Sequence, residues 1–189
     1  MSNIIKTLQE KLGYSSFDKI DPNNQQNKSE LVQSATTDHF DQAATIATLV
    51  GLYKFGTTED GSRALTQTLP ADLLQLLFRD KEEEVIEKVA HYGNQGYEQT
   101  EASMTQVAQT AISTMQQETG PDITPEKIRN WLAGQRHNIL VYLPPDLNMG
   151  DAVNDTSIED RTNKMEGPVS NLMHAIEDIF AEKDKSKEI

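Results

Sequence analysis

The chain is 189 residues long, enough for one domain or one domain with an appendage, and a domain of this size can bury roughly 70% of the surface its unfolded chain exposes. Its 30 acidic residues exceed its 17 basic ones, a formal net charge of −13 that repels phosphate backbones and anionic lipid headgroups and argues against nucleic acid as a partner. Cysteine is absent, which excludes disulfides, thiol catalysis and thiolate metal sites.

The apolar content of 36% is low, but the apolar residues fall in periodic blocks, which argues against wholesale disorder. The opening residues lack the basic and apolar regions of an export signal, with Gln9, Glu10 and Lys11 close behind, so the expected location is the cytoplasm. A first helix is predicted with Ser2 as its cap, Ile4, Ile5, Leu8 and Leu12 on one face, and Gly13 as its stop. Ser15 and Asp18 have the spacing of a capping box for a turn carrying Phe17 and Ile20. Residues 21–27 then read as a polar connection.

From 38 to 55 the helical pattern is apolar nearly all round, which predicts a central helix. Ala43, Ala47 and Gly51 lie four apart, a row of small side chains that lets a neighbouring helix come close. The least polar run, 43–53, is about half of the ~20 residues a membrane span needs. Thr58 caps the next helix, expected to run to about Thr68, before Pro70 removes a backbone donor. Asp72 can cap a helix over Leu73, Leu74, Leu76, Leu77 and Phe78. Asp80 with Glu83 repeats the cap spacing before Val85, Ile86, Val89 and Tyr92, and Gly93 is the expected end of that helix.

Between 96 and 118, Met104, Val107, Ala108, Ala111, Ile112 and Met115 keep helical spacing throughout. Pro125 follows Thr124 at the favoured first helical position, and Ile128, Trp131, Leu132, Ile139 and Leu143 form one stripe that places the single tryptophan in the core. Residues 139–142 are the one short run that reads as a possible strand. Residues 146–167 have the composition of a loop, with apolar residues such as Leu147 and Met149 expected to pack down and one turn near Thr156. A final helix is expected from Pro168, with a frayed tail over 183–189. The fold class predicted is an all-α bundle: residues 1–147 form the helical domain, and 148–189 an acidic loop plus a C-terminal helix packed on it.

Leu69-Pro70-Ala71-Asp72-Leu73 recurs as Leu143-Pro144-Pro145-Asp146-Leu147, and each copy follows a Thr-capped stretch with Arg five residues after the cap, Arg63 after Thr58 and Arg129 after Thr124. The pattern predicts two related helical halves, each aspartate capping the turn after its proline. The spacings make the second capped helix about eight residues longer than the first.

No catalytic, metal or cofactor motif emerges. Glu87 and His91 stand one turn apart on a charged helix, His174 precedes Glu177 in the wrong order for a carboxylate-bridged metal pair, and His39 and His137 lack a second ligand. Residues 146–157 imitate the start of a calcium loop, but the glycine falls one position early and Ser157 stands where a bidentate Glu is required. No Gly-rich phosphate cradle and no Gly-x-Ser-x-Gly elbow is present. The best surface candidate is Arg129 with Arg136, seven residues on and so on the same helix face, and His137 beside them. These groups can receive a carboxylate or phosphate from a partner or ligand; internal salt bridges are the competing reading.

The stretch Leu49-Val50-Gly51-Leu52-Tyr53-Lys54-Phe55-Gly56-Thr57-Thr58-Glu59-Asp60-Gly61-Ser62-Arg63-Ala64-Leu65 resembles a segment of the YidB-like bacterial proteins of unknown function. Those proteins pair an apolar helix with a Thr-capped helix bearing Gly and Ala. Residues 4–13 and 123–143 are similar to the opening and later helices of that family, whereas the segment from Asp146 departs from it. The resemblance implies a helical fold and brings no catalytic residues. Together these readings lead to a non-catalytic protein that associates with itself or another protein, motivated by the small-residue seam and the lack of catalytic groups. The alternative is a small-molecule or anion binder using Arg129, Arg136 and His137.

Overall fold

The computed structural model describes residues 2–19, 37–144, 147 and 149. Seven α-helices are found there: α1 (Ile4–Leu12), α2 (Thr37–Thr57), α3 (Glu59–Ala64), α4 (Leu73–Phe78), α5 (Glu82–Gly93), α6 (Tyr97–Thr119) and α7 (Pro125–Leu140). No strand occurs among the described residues; residues 139–142 end α7 and turn. The fold is an all-α bundle, and no described helix is long and apolar enough to cross a membrane.

α2 is the axis. Every residue from Gln42 to Leu52 is buried, because the helix has no polar face to leave in water, and α3, α4, α5, α6 and α7 all pack against it. The small residues set how closely they come. A Cβ on Gly51 would run into the Phe78 ring of α4, and one on Gly93 would meet Phe40 at 2.5 Å. The seam of Ala43, Ala47 and Gly51 is thus taken up by packing within the chain. Thr48 donates its hydroxyl to the Ala44 carbonyl at 2.8 Å, whereas the buried Thr45 hydroxyl has no hydrogen-bond partner.

α1 lies across α6 and α7. Its cap is Asn3, not Ser2: Asn3 Oδ1 accepts from the Ile5 and Lys6 amides at 3.0 and 3.4 Å. Ser2 is drawn away by the Glu118 carboxylate, which accepts from both its amide and its hydroxyl and also from Trp131 Nε1 at 3.0 Å. Buried Gln135 completes the anchor, accepting from the Ile4 amide at 3.2 Å and donating to the Ser2 carbonyl at 2.8 Å. Burial alone would raise the Glu118 carboxyl, but the hydrogen bonds from Ser2 and Trp131 outweigh it and hold it below the usual range.

After Gly13, in the left-handed conformation at φ 73°, residues 14–19 form no helical turn. The expected Ser15–Asp18 capping box gives way to a tertiary contact. Buried Gln42 accepts from the Asp18 amide at 2.9 Å and donates to the Asp18 and Tyr142 carbonyls, both at 2.9 Å. A carboxamide on a rigid helix satisfies both backbone groups at once, which a local serine cap cannot do. Phe17 is buried beneath it, with ring centroids 6.2 Å from Tyr14 and 6.4 Å from Tyr142.

Two helix ends also depart from expectation. α3 stops at Ala64, short of Thr68, because the bonding tightens: Thr66 and Gln67 amides reach back three residues, and the Thr66 hydroxyl takes the Arg63 carbonyl at 2.7 Å. Asp80 caps nothing, since residues Arg79–Lys81 form a 3-10 turn and Arg79 adopts φ 55°. The first turn of α5 instead carries Glu82, Glu83 and Glu84, which suit the positive end of the helix. Hydrogen bonds from Lys81 and Lys88 bring the Glu84 carboxyl down to about 2. α5 ends at Gly93 as expected, with Asn94 following in the left-handed conformation at φ 49° and Gly93 seating Phe40.

Of the two proline-linked repeats, the first behaves as expected, with Asp72 Oδ1 accepting from the Gln75 amide at 2.9 Å; Asp146 of the second lies outside the described residues. The two Thr-capped helices span 6 and 16 residues, so the second is longer by ten residues where the spacing predicts about eight. Leu147 and Met149 are buried in the core, in keeping with the expected packing-down. The turn near Thr156, the C-terminal helix and the assignment of 150–189 to an appended segment lie outside the described residues.

Trp131 is 4% exposed with its indole N–H satisfied, so Trp131→Ala is expected to cost ~3–5 kcal/mol in denaturant unfolding. A loss below about 1 kcal/mol would contradict its core role. Gly51→Ala is expected to destabilise by about 1–3 kcal/mol despite alanine's better helix propensity, because the Phe78 ring must shift. In a double-mutant cycle with Phe78→Leu the Gly51→Ala penalty should shrink; an unchanged penalty places the clash elsewhere.

Candidate functional site

The junction of α2, α3 and α7 builds a charged cleft. α2 and α3 are joined without a linker, Thr57 ending one and Thr58 capping the other. The Thr58 amide and hydroxyl both donate to the Phe55 carbonyl, at 3.2 and 2.7 Å, while Thr58 Oγ1 accepts from the Gly61 amide at 3.0 Å. A Cβ on Gly61 would overlap the Phe55 carbonyl, so only glycine allows so sharp a corner. α7 begins in the same way, Thr124 Oγ1 accepting from the Lys127 amide at 3.3 Å with Pro125 opening the helix.

Ser62 clamps the two helices together. Its buried hydroxyl donates to the Glu59 carbonyl at 3.0 Å and accepts from Arg129 Nη1 at 2.8 Å. The other arm of Arg129 reaches Glu126 at 3.1 Å, and Arg63 pairs with Glu59 at 2.9 Å one turn along α3. Thr57, Glu59, Arg63, Pro125, Glu126 and Arg129 line an open cleft of about 350 Å³. Its charges balance, two guanidiniums against two carboxylates.

The pairs are wet. Side-chain exposure is 58% and 79% for Arg63 and Glu59, and 32% and 68% for Arg129 and Glu126, so each pair is screened by water and exchanges readily. Glu126 is held below the usual carboxylate range by its own backbone N–H first, then by the Thr124 hydroxyl and Arg129. The positive end of α7 is therefore already occupied by an internal anion.

Of the three residues singled out in the sequence, Arg129 lies in the cleft, paired with Glu126, while Arg136 and His137 are not among its lining residues. Arg136 is part-buried and His137 exposed, farther along α7. The structure brings Arg63 to Arg129 instead. The signal for that meeting is the repeated Thr-cap-then-Arg spacing; what the spacing lacks is the adjacency of α3 and α7. Among the described residues no three His, Asp or Glu side chains gather as a metal site would require.

No family model matches the chain, and neither a curated protein nor a solved structure does.

The depressed Glu126 carboxyl stabilises the fold above the ordinary value of 4.5, and this contribution is lost as pH falls through the lowered value. An NMR titration should find Glu126 half-protonated below 4.5, rising toward it in Thr124→Ala or Arg129→Gln. A midpoint unmoved by either substitution would remove the cap and the guanidinium as causes.

Proposed function

We propose that this chain is a non-catalytic helical module of the bacterial cytoplasm that works by association with protein, itself or another chain, through the cleft between α2, α3 and α7. The observation that carries this reading is the balanced set of Arg63, Glu59, Arg129 and Glu126 on the rigid ends of helices in a chain of net charge −13. Such a set suits a partner that brings both signs of charge, and polypeptide surfaces do so routinely. The small-residue seam that first suggested association is occupied by Phe78 and lends no support.

A second reading, binding of a small anion, draws on the two arginines sharing one cleft. It is weakened because an anion must displace Glu59 or Glu126 from its guanidinium. NMR titration with inorganic phosphate and with citrate tests it directly, and saturable shifts at Arg63 and Arg129 would favour it.

For the leading reading, light scattering after size exclusion and a pull-down should show the chain retained in a protein complex. Arg63→Glu combined with Arg129→Glu should release it. A strict monomer that retains no partner would leave the association without support.

A further inference from the structure

Taking the charged cleft as the association surface, and so resting on that reading, we propose that what docks there is a second copy of this chain, related by a two-fold axis. A two-fold contact sets one surface patch against itself, so the patch has to be self-complementary in charge. An acidic patch is not. At the corner of α5 and α6, Glu82, Glu83, Glu87 and Glu101 crowd the 39% exposed Tyr97, and two such corners would repel each other.

The cleft is the contrary case, because each of its two helices carries one carboxylate followed by one arginine: Glu59 and Arg63 on α3, Glu126 and Arg129 on α7. Setting α3 of one copy antiparallel to α7 of the other brings Arg63 to Glu126 of the partner subunit and Glu59 to Arg129 of the partner subunit. The axis makes each contact twice. Arg63 spends one nitrogen on Glu59, in a pair open to water on both sides, so its fork is easily redirected. A stable dimer buries about 1,200–2,000 Å². The cleft is smaller than that requires, so the pairing is weak, reversible and sensitive to salt.

Sedimentation of the full chain over a concentration series, at about 0.02 M and about 0.5 M salt, tests this. The wild type should form a reversible dimer that high salt dissociates. Arg63→Glu and Glu59→Arg should each weaken it by about tenfold, the scale of a few exposed ion pairs acting together. Glu126→Arg should fail in the same way as Arg63→Glu, and equimolar mixing of these two should restore dimers, now of mixed composition. The double exchange R63E/E126R within one chain should dimerise like the wild type, whereas E59R/R63E sets like charges at every contact and should not. All three positions are exposed, so the folds should be unchanged, and circular dichroism verifies this. Glu59→Arg makes the chain less negative, so long-range repulsion alone would tighten its self-association where the cleft mechanism loosens it. A wild type that stays monomeric throughout, or variants that pair as well alone as mixed, would overturn the proposal. A monomer that still holds another protein, and loses it on Arg63→Glu, overturns self-pairing while leaving the association reading in place. A monomer that holds nothing overturns both.

Discussion

The architecture depends on a helix with no side to show to water. Between Gln42 and Leu52 every side of α2 is buried, and covering a helix on all sides requires several neighbours at close range. α3 to α7 supply them. Close approach is possible because the chain offers no side chain where a neighbour must enter: Gly51 admits Phe78, and Gly93 receives Phe40. Packing at this density leaves little room for adjustment, so a single added methyl group is felt.

Apolar packing does not by itself position the irregular parts of the chain. Two buried carboxamides and one carboxylate do that. Gln42 clamps Asp18 and Tyr142, Gln135 holds the start of α1, and Glu118 gathers Ser2 and Trp131. Each side chain sits on a long helix and partners backbone or indole groups of a segment distant in sequence, the Ile4 amide among them in a buried contact. Segments 131 to 133 residues apart in sequence are joined in this way. Lys11 adds a further tie to Thr114 on α6 at 2.9 Å.

The cleft follows from how the central helix ends. Thr57 and Thr58 let α3 leave α2 without a connecting loop, and the buried Ser62 hydroxyl then docks Arg129 from α7. Two helix starts with the same cap and the same Arg spacing meet at one place, and their carboxylates come with them. The result is a balanced polar surface in an otherwise acidic chain.

Helix content and core were legible in the sequence, because periodicity and caps are local. The stripe of α6 from Met104 to Met115, the central helix, the Thr58, Asp72 and Thr124 caps and the burial of Trp131 all follow from spacing and side-chain type. Where the reading failed, a distant group outcompeted a local one. Ser2 left its cap for Glu118, and the Ser15–Asp18 turn yielded to Gln42. The candidate site divides in the same way. Arg129 stood out as a cation in an acidic chain, but its companion is Arg63, 66 residues earlier in sequence. That meeting was decided by the packing of α3 and α7 on α2, since a hydrogen bond such as Arg129 to Ser62 depends on distance in space, which spacing along the chain does not encode.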